Sequence, residues 1–279
     1  MALLLGSFLC TPVFAATNIA SPLIRSEQGP SLNWSGYAIS DPDVTSVSGT
    51  FAVPTVSGPA SVGGLPTDIS VWVGIDGYTS GTVEQIGVSG SYSSTSGSAS
   101  YSAWWEMYPR VSMTIHSMTV SAGDVMTASV NYLGRGSFQL SMADTTTGQS
   151  FSTTQKAPVG GPNVAQRNSA EWVVERAATI AKGYLTILPL ATFSIVTFTG
   201  ESFTAGGSAH TLQYAIDNYA QYLGYPNSPP SQPYWENMYI VSITSSNTLV
   251  PLDSTSTVTS NSFTVSWLAN GTPIPIQRV

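Results

Sequence analysis

Four short segments set a carboxylate or a carboxamide beside tryptophan or valine, at a spacing that puts them on one face of a β-strand. In an extended chain residues i, i+2 and i+4 share a face. Residues 71–77 read V-W-V-G-I-D-G, so Val71, Val73 and Ile75 form an apolar face and Trp72, Gly74 and Asp76 the opposite one. Over 101–109 the same count puts Ser102, Trp104 and Glu106 together. Over 170–176 it groups Glu171, Val173 and Glu175, with Trp172 and Val174 opposite, and over 82–87 it puts Gln85 beside Val83 and Gly87. A solvated strand face carries Lys, Thr and Ser. Carboxylates among Trp and Val fit a concave, partly desolvated cleft, where carboxyl pKa values rise. For any one segment the simpler reading is a Trp at a core edge and a solvated carboxylate. Four such segments together favour the cleft.

Most other hydrolytic chemistries lack their residues. There are two histidines, His116 and His210, and no G-x-S-x-G, so a Ser-His-Asp hydrolase has little support. A lone His in a strand pattern reads as an ordinary polar residue. No H-E-x-x-H occurs and the single cysteine is Cys10, which leaves no ligand set for zinc and no disulfide; no metal and no cofactor are expected. The Asp-Thr/Ser-Gly pair of aspartic proteases is absent, and no glycine-rich loop joins a strand to a helix to cradle phosphate. Carboxylate and amide chemistry remains.

The elements that must position these groups are strands. From Asn33 onward short β-type runs alternate with Gly, Ser, Asn and Pro punctuation, the pattern of an all-β sandwich or barrel. Phe138, Leu140 and Met142 alternate with polar residues, as do Phe263, Val265 and Trp267; Met113-Thr-Ile and Met118-Thr-Val read as half-strands on either side of His116. Leu212, Ala215, Ile216, Tyr219, Tyr222 and Leu223 instead recur at helical spacing ahead of a proline-rich loop from Pro226 to Pro233, which predicts a short helix and loop inserted in the sandwich.

Charged residues are 8% of the chain, eight basic against 15 acidic, with Ser, Thr and Gly in their place. No Lys/Arg-rich run exists, so nucleic acid is the least expected partner. Acid denaturation works by protonating paired carboxylates and building positive repulsion; with few of either group, the composition suits an acidic medium. Residues 1–15 carry an apolar run followed by Val13-Phe-Ala15, a small-residue cleavage pattern, and are expected to be a signal peptide for secretion, although the positive n-region is missing. Cys10 lies inside it, after a Leu bulkier than lipoprotein processing favours. No later apolar run reaches membrane-spanning length. Residues 16–32 read as an N-terminal arm or propeptide remnant and 33–279 as one domain.

In chain order, N-W-S-G at 33–36, W-V-G-I-D-G at 72–77, Q-I-G at 85–87, A-W-W-E-M-Y-P at 103–109 and A-E-W-V-V-E at 170–175 resemble the motifs of the glutamic peptidases (eqolisins), acid endopeptidases typified in fungi and also found in prokaryotes. L-P-L-A-T-F-S at 188–194 fits a later family segment. The resemblance implies a bent, concanavalin-like sandwich of two antiparallel sheets of about seven strands each. By position it puts the catalytic pair on Gln85 and Glu175 and supporting cleft roles on Trp34, Trp72, Asp76, Trp104 and Glu106. It implies protein or peptide substrates, no cofactor, insensitivity to pepstatin, and a monomer. The chain departs from the family pattern at Ser102, where fungal members carry an acid that would serve Glu106. It also departs in lacking disulfides, in residues 208–234, which look inserted, and in the shortness of the propeptide.

Peptide hydrolysis needs an activated water, a stabiliser for the oxyanion and a proton donor for the leaving amine. On the family reading one glutamate with a raised pKa serves as base and then acid, and the glutamine supplies the oxyanion donor. Two rivals share the fold and the aromatic cleft: a sandwich glycosidase using Glu106 and Glu175 as a carboxylate pair about 5–9 Å apart, and a carbohydrate-binding module stacking Trp and Tyr on sugars. Gln85 discriminates, because a glycosidase has no need of that amide.

Overall fold

The computed structural model describes residues 29–158, 164–181, 183–222, 232–243 and 248–278. Two large sheets pack face to face. The first runs in the order Gly29–Ser31, Tyr234–Ile243, Trp34–Ser40, Ser169–Glu175, Asp68–Ile75, Val83–Ser93, Ser98–Tyr108 and Met113–Thr114. The second runs Ser150–Lys156, Ser137–Asp144, Val125–Gly134, Val44–Ala52, Val196–Ala205, Ser262–Trp267 and Asp253–Thr255. Pairing is antiparallel except where Gly29–Ser31 and Ala220–Gln221 join Tyr234–Ile243 in parallel. Short edge pieces bring the sheets to ten and eight strands rather than seven each.

Alternation explains the packing. Val71, Val73, Ile75, Ile86, Val88, Trp172 and Val174 of the first sheet meet Phe51, Val130, Leu140, Phe198, Phe203 and Phe263 of the second in one buried core. Trp172 crosses between the sheets and donates its indole N–H to the Ser48 carbonyl at 2.9 Å. The other face of the first sheet carries its own buried cluster: Trp34, Ala38, Trp72, Val83, Trp104 and Val173, with Tyr78, Tyr234 and Met238 packed on it. A sheet buried on both faces can hold titratable groups away from water.

Three expectations change. The helix is Leu212–Asn218, capped by the Thr211 hydroxyl accepting from the Tyr214 N–H, and Tyr219 is already extended. Tyr222 lies beyond the helix, donating its N–H to the Trp235 carbonyl; Leu223 and most of the proline-rich loop lie outside the described residues. The run at Met118 is not a strand, because only Met113–Thr114 finds a ladder partner; Ile115, Met118 and Val120 are buried as irregular chain. Gly29–Ser31, assigned to the N-terminal arm, is part of the first sheet, while residues 1–28 lie outside the described residues.

Candidate active site

The register of five adjacent strands assembles the site on the outer face of the first sheet. Glu175 stands opposite Trp34 on one side and Ser70 on the other. Further along, Val173 faces Trp72, which faces Gly87, which faces Trp104. Glu171 faces Gly74, which faces Gln85, which faces Glu106. Residues far apart in sequence therefore form three rows on one surface, because each strand keeps the period of two.

Glu175 is held from two sides. Its carboxylate accepts from the Trp72 indole N–H at 2.7 Å and from the Asn33 amide at 3.2 Å. Burial pushes its pKa up to about 7, against the pull of these donors toward the charged form. Trp34 packs edge-on against Trp72, with centroids 4.9 Å apart, and completes an indole wall. Gln85 is oriented separately: its Nε2 donates to Glu106 at 2.6 Å. Gly74 leaves room for the Trp72 ring between these centres. A Cβ at Gly74 would lie 2.9 Å from the Trp72 ring and 3.2 Å from Gln85 Cβ. The structure thus joins Gln85 with Glu106, and Glu175 with Trp72 and Asn33, with Trp72 packed between the two centres.

The other expected residues sit as follows. Trp104 faces Gly87 within the aromatic layer. Asp76 ends its strand at a φ of 69° and accepts from the backbone N–H groups of Arg167 and Asn168, at 2.9 and 3.0 Å, so it fastens a loop to the sheet end. Ser102 is not a neighbour of Glu106; it faces Ser89 and lines a groove beside Glu175. Trp34, Trp72, Gln85 and Glu106 have no exposure, and Glu175 retains 5%. These residues are thus buried rather than open, in a cluster that Tyr78 and Tyr234 share, with Tyr222 packed against Tyr234.

Three participants escaped the sequence reading. Asn33 was quoted in a motif without a role. Glu84 alternates with Ile86 and Val88, so a carboxylate at core parity was the available signal. It is buried against Asp76 and Glu171, and burial first, then these like charges, holds its pKa well above the usual carboxylate range. Burial does the same to Glu171, whose two oxygens lack hydrogen-bond partners. Asp68 shares the face of Ser70 and Trp72 one step before the segment that was read.

A desolvated carboxyl poised near neutrality, an aligned carboxamide and an indole wall suit addition to a carbonyl, with proton transfer by the carboxyl and oxyanion support by the amide. The comparisons with known proteins point to one family. The model of the Peptidase A4 family matches residues 32–222. Aspergillopepsin-2 of Aspergillus niger is 34% identical over 194 residues, 64% of this chain and 66% of its own length. Scytalidopepsin B of Scytalidium lignicola is 33% identical over 187 residues, 66% of this chain and 67% of its own. The chain thus spans about two thirds of the curated relatives it matches. Among solved structures, scytalido-glutamic peptidase with a peptide-based transition-state analogue superposes with a TM-score of 0.65 at 26% identity, covering 85% of this chain and 98% of that one. Aspergilloglutamic peptidase from Aspergillus niger gives 0.51 at 29%, covering 72% and 99%. The fold is that of the glutamic peptidase β-sandwich. The chain belongs to the Peptidase A4 family, the glutamic endopeptidases.

Proposed function

We propose that the protein is a secreted, monomeric acid endopeptidase in which Glu175 moves the protons and Gln85 stabilises the oxyanion. The observation that carries this reading is Glu175 itself: a buried carboxyl, held by Trp72 and Asn33, with its pKa raised to about 7. Such a group is a stronger base than an ordinary carboxylate when ionised, and in acid it holds a proton that it can lend. In its ionised form it takes a proton from the water that attacks the peptide carbonyl, then gives that proton to the leaving amine. The bond to Glu106 holds the Gln85 amide in one orientation, and on this reading that amide is the donor that supports the oxyanion. Trp34 and Trp72 keep water away from the carboxyl.

Scytalido-glutamic peptidase is solved with a peptide-based transition-state analogue, which supports a peptide as the ligand of this face. Family membership disfavours the glycosidase and binding-module rivals. Secretion rests on the apolar segment and cleavage pattern of residues 1–15; among the described residues no helix is long and apolar enough to cross a membrane.

The test is digestion of a denatured protein at acid pH by wild type, Glu175→Gln and Glu171→Gln. Glu175→Gln keeps the shape and removes the titrating proton, so turnover should vanish while the circular dichroism spectrum stays. Burial holds the Glu171 pKa well above the usual carboxylate range, and its carboxyl is not the one held by Trp72 and Asn33, so Glu171→Gln should retain much of the activity. Wild-type turnover by Glu175→Gln would refute the assignment, and the reverse pattern would move the role to Glu171.

A further inference from the structure

A groove of about 280 Å³ opens beside Glu175 on the same face of the first sheet. That is the share of liquid occupied by roughly nine waters, room enough for a side chain. Asp68, Ser89, Ser91, Ser100, Ser102 and Thr114 supply its polar lining. The strand register explains the concentration of hydroxyls. Ser70 faces Ser89, which faces Ser102, and one step outward Asp68 faces Ser91, which faces Ser100. The first of these rows begins at Glu175, which stands opposite Ser70. Asp68 and Glu175 are therefore diagonal neighbours on one face, a placement that sets them roughly 7–8 Å apart.

Asp68 is fixed and unsatisfied at once. Its backbone N–H donates to the Pro189 carbonyl at 3.1 Å and its carbonyl accepts from Ala191 at 2.9 Å, so the residue cannot turn away. Its Oδ1 is buried and has no hydrogen-bond partner. None of the lining residues is cationic. Arg176, which follows Glu175, is spent on the carbonyls of Leu188 and Thr272, at 2.7 Å each.

From this geometry we propose that the groove is a substrate subsite for an uncharged, hydrogen-bonding side chain, a primary amide, with Asp68 as the residue that selects it. The proposal rests on the endopeptidase reading. A carboxylic acid and a carboxamide are complementary: the acid O–H donates to the amide oxygen while the acid carbonyl accepts an amide N–H. The serine and threonine hydroxyls donate or accept as required. A lysine or arginine side chain would need Asp68 ionised. Burial and the neighbouring Glu175 oppose that, lifting Asp68 to about 8. An ionised glutamate would meet two carboxyls. A leucine would leave Asp68 Oδ1 without a partner.

The test uses internally quenched peptides that differ only in placing Gln, Leu, Lys or Glu at each position flanking the scissile bond, assayed at pH 5 with the full chain. At one position Gln should exceed the other three by about tenfold in kcat/KM, the worth of two neutral hydrogen bonds. Asp68→Ala should flatten that preference, and Asp68→Asn, which keeps a donor and an acceptor, should retain most of it. Should Asp68→Ala fail to fold, Ser102→Ala serves instead and should reduce the Gln preference several-fold. A preference for Lys, no preference at any position, or a Gln preference that survives Asp68→Ala would overturn the proposal and leave the endopeptidase reading intact. Failure of the wild type to cleave any peptide would overturn that reading and this one with it.

Discussion

Replacing Glu201 by glutamine tests how the fold responds to pH without touching the site. Glu201 lies on Val196–Ala205 in the second sheet, fully buried, and neither carboxyl oxygen has a hydrogen-bond partner. Burial lifts its pKa from the ordinary 4.5 to about 7. The folded state therefore holds a proton that the unfolded chain releases above about 4.5. Stability from this group is fully present below that pH and is lost as the pH rises through 7. A rise of this size corresponds to at most about 3 kcal/mol between pH 4 and pH 8, since one pKa unit is about 1.4 kcal/mol. Glutamine cannot ionise, so Glu201→Gln should escape the loss. The buried amide adds an unsatisfied group at both pH values, so the informative quantity is the change in the gap between variant and wild type. Thermal unfolding followed by circular dichroism at pH 4 and pH 8 should show the gap moving toward the variant by up to about 6–12 °C, at 2–4 °C per kcal/mol for a domain of this size. A gap that is the same at both pH values would refute the reasoning, since Glu201 would then be ionised, or neutral, throughout.

Two further outcomes follow from the site. Gly74→Ala puts a Cβ 2.9 Å from the Trp72 ring and 3.2 Å from Gln85 Cβ, so one of them must shift; kcat should fall by about 10²-fold with the fold intact, and full activity would show that this contact does not hold the site. Gln85→Ala should lower kcat by about 10²–10³-fold and change KM little, because the amide matters most when charge develops on the carbonyl oxygen; a raised KM with unchanged kcat would reduce Gln85 to a wall of the cleft.

Period-two alternation made both faces of the first sheet legible. Val71, Val73 and Ile75 face the core as read, and Trp72, Gln85, Glu106 and Glu175 share the opposite face. What alternation misses is a change of phase. Counting from the inward Phe198 would put Glu201 outside, yet the register shifts between Thr199 and Ser202, around Gly200 at a φ of 65°, and Glu201 joins Phe203 inside. Nor does local sequence tell which distant residues will join a face: Tyr234, on a strand more than 150 residues further along the chain, shares one buried cluster with Trp34 and Trp72.

The same limit applies to what the composition says about acid. The sparse charge suggested that few paired carboxylates were there to lose. The structure gives a different account. Of the 15 acidic residues in the sequence, eight have a raised pKa, namely Asp68, Asp76, Glu84, Glu171, Glu175, Glu201, Glu236 and Asp253. For each of them burial is the leading cause, and acid leaves it in the state the fold already prefers. The opposite change is the dangerous one. As the pH passes from about 5 to 8, the fold must either ionise these groups in an apolar setting or open to hydrate them. For these groups stability therefore falls as the pH rises rather than as it drops, and the physical cause is the burial of carboxyls.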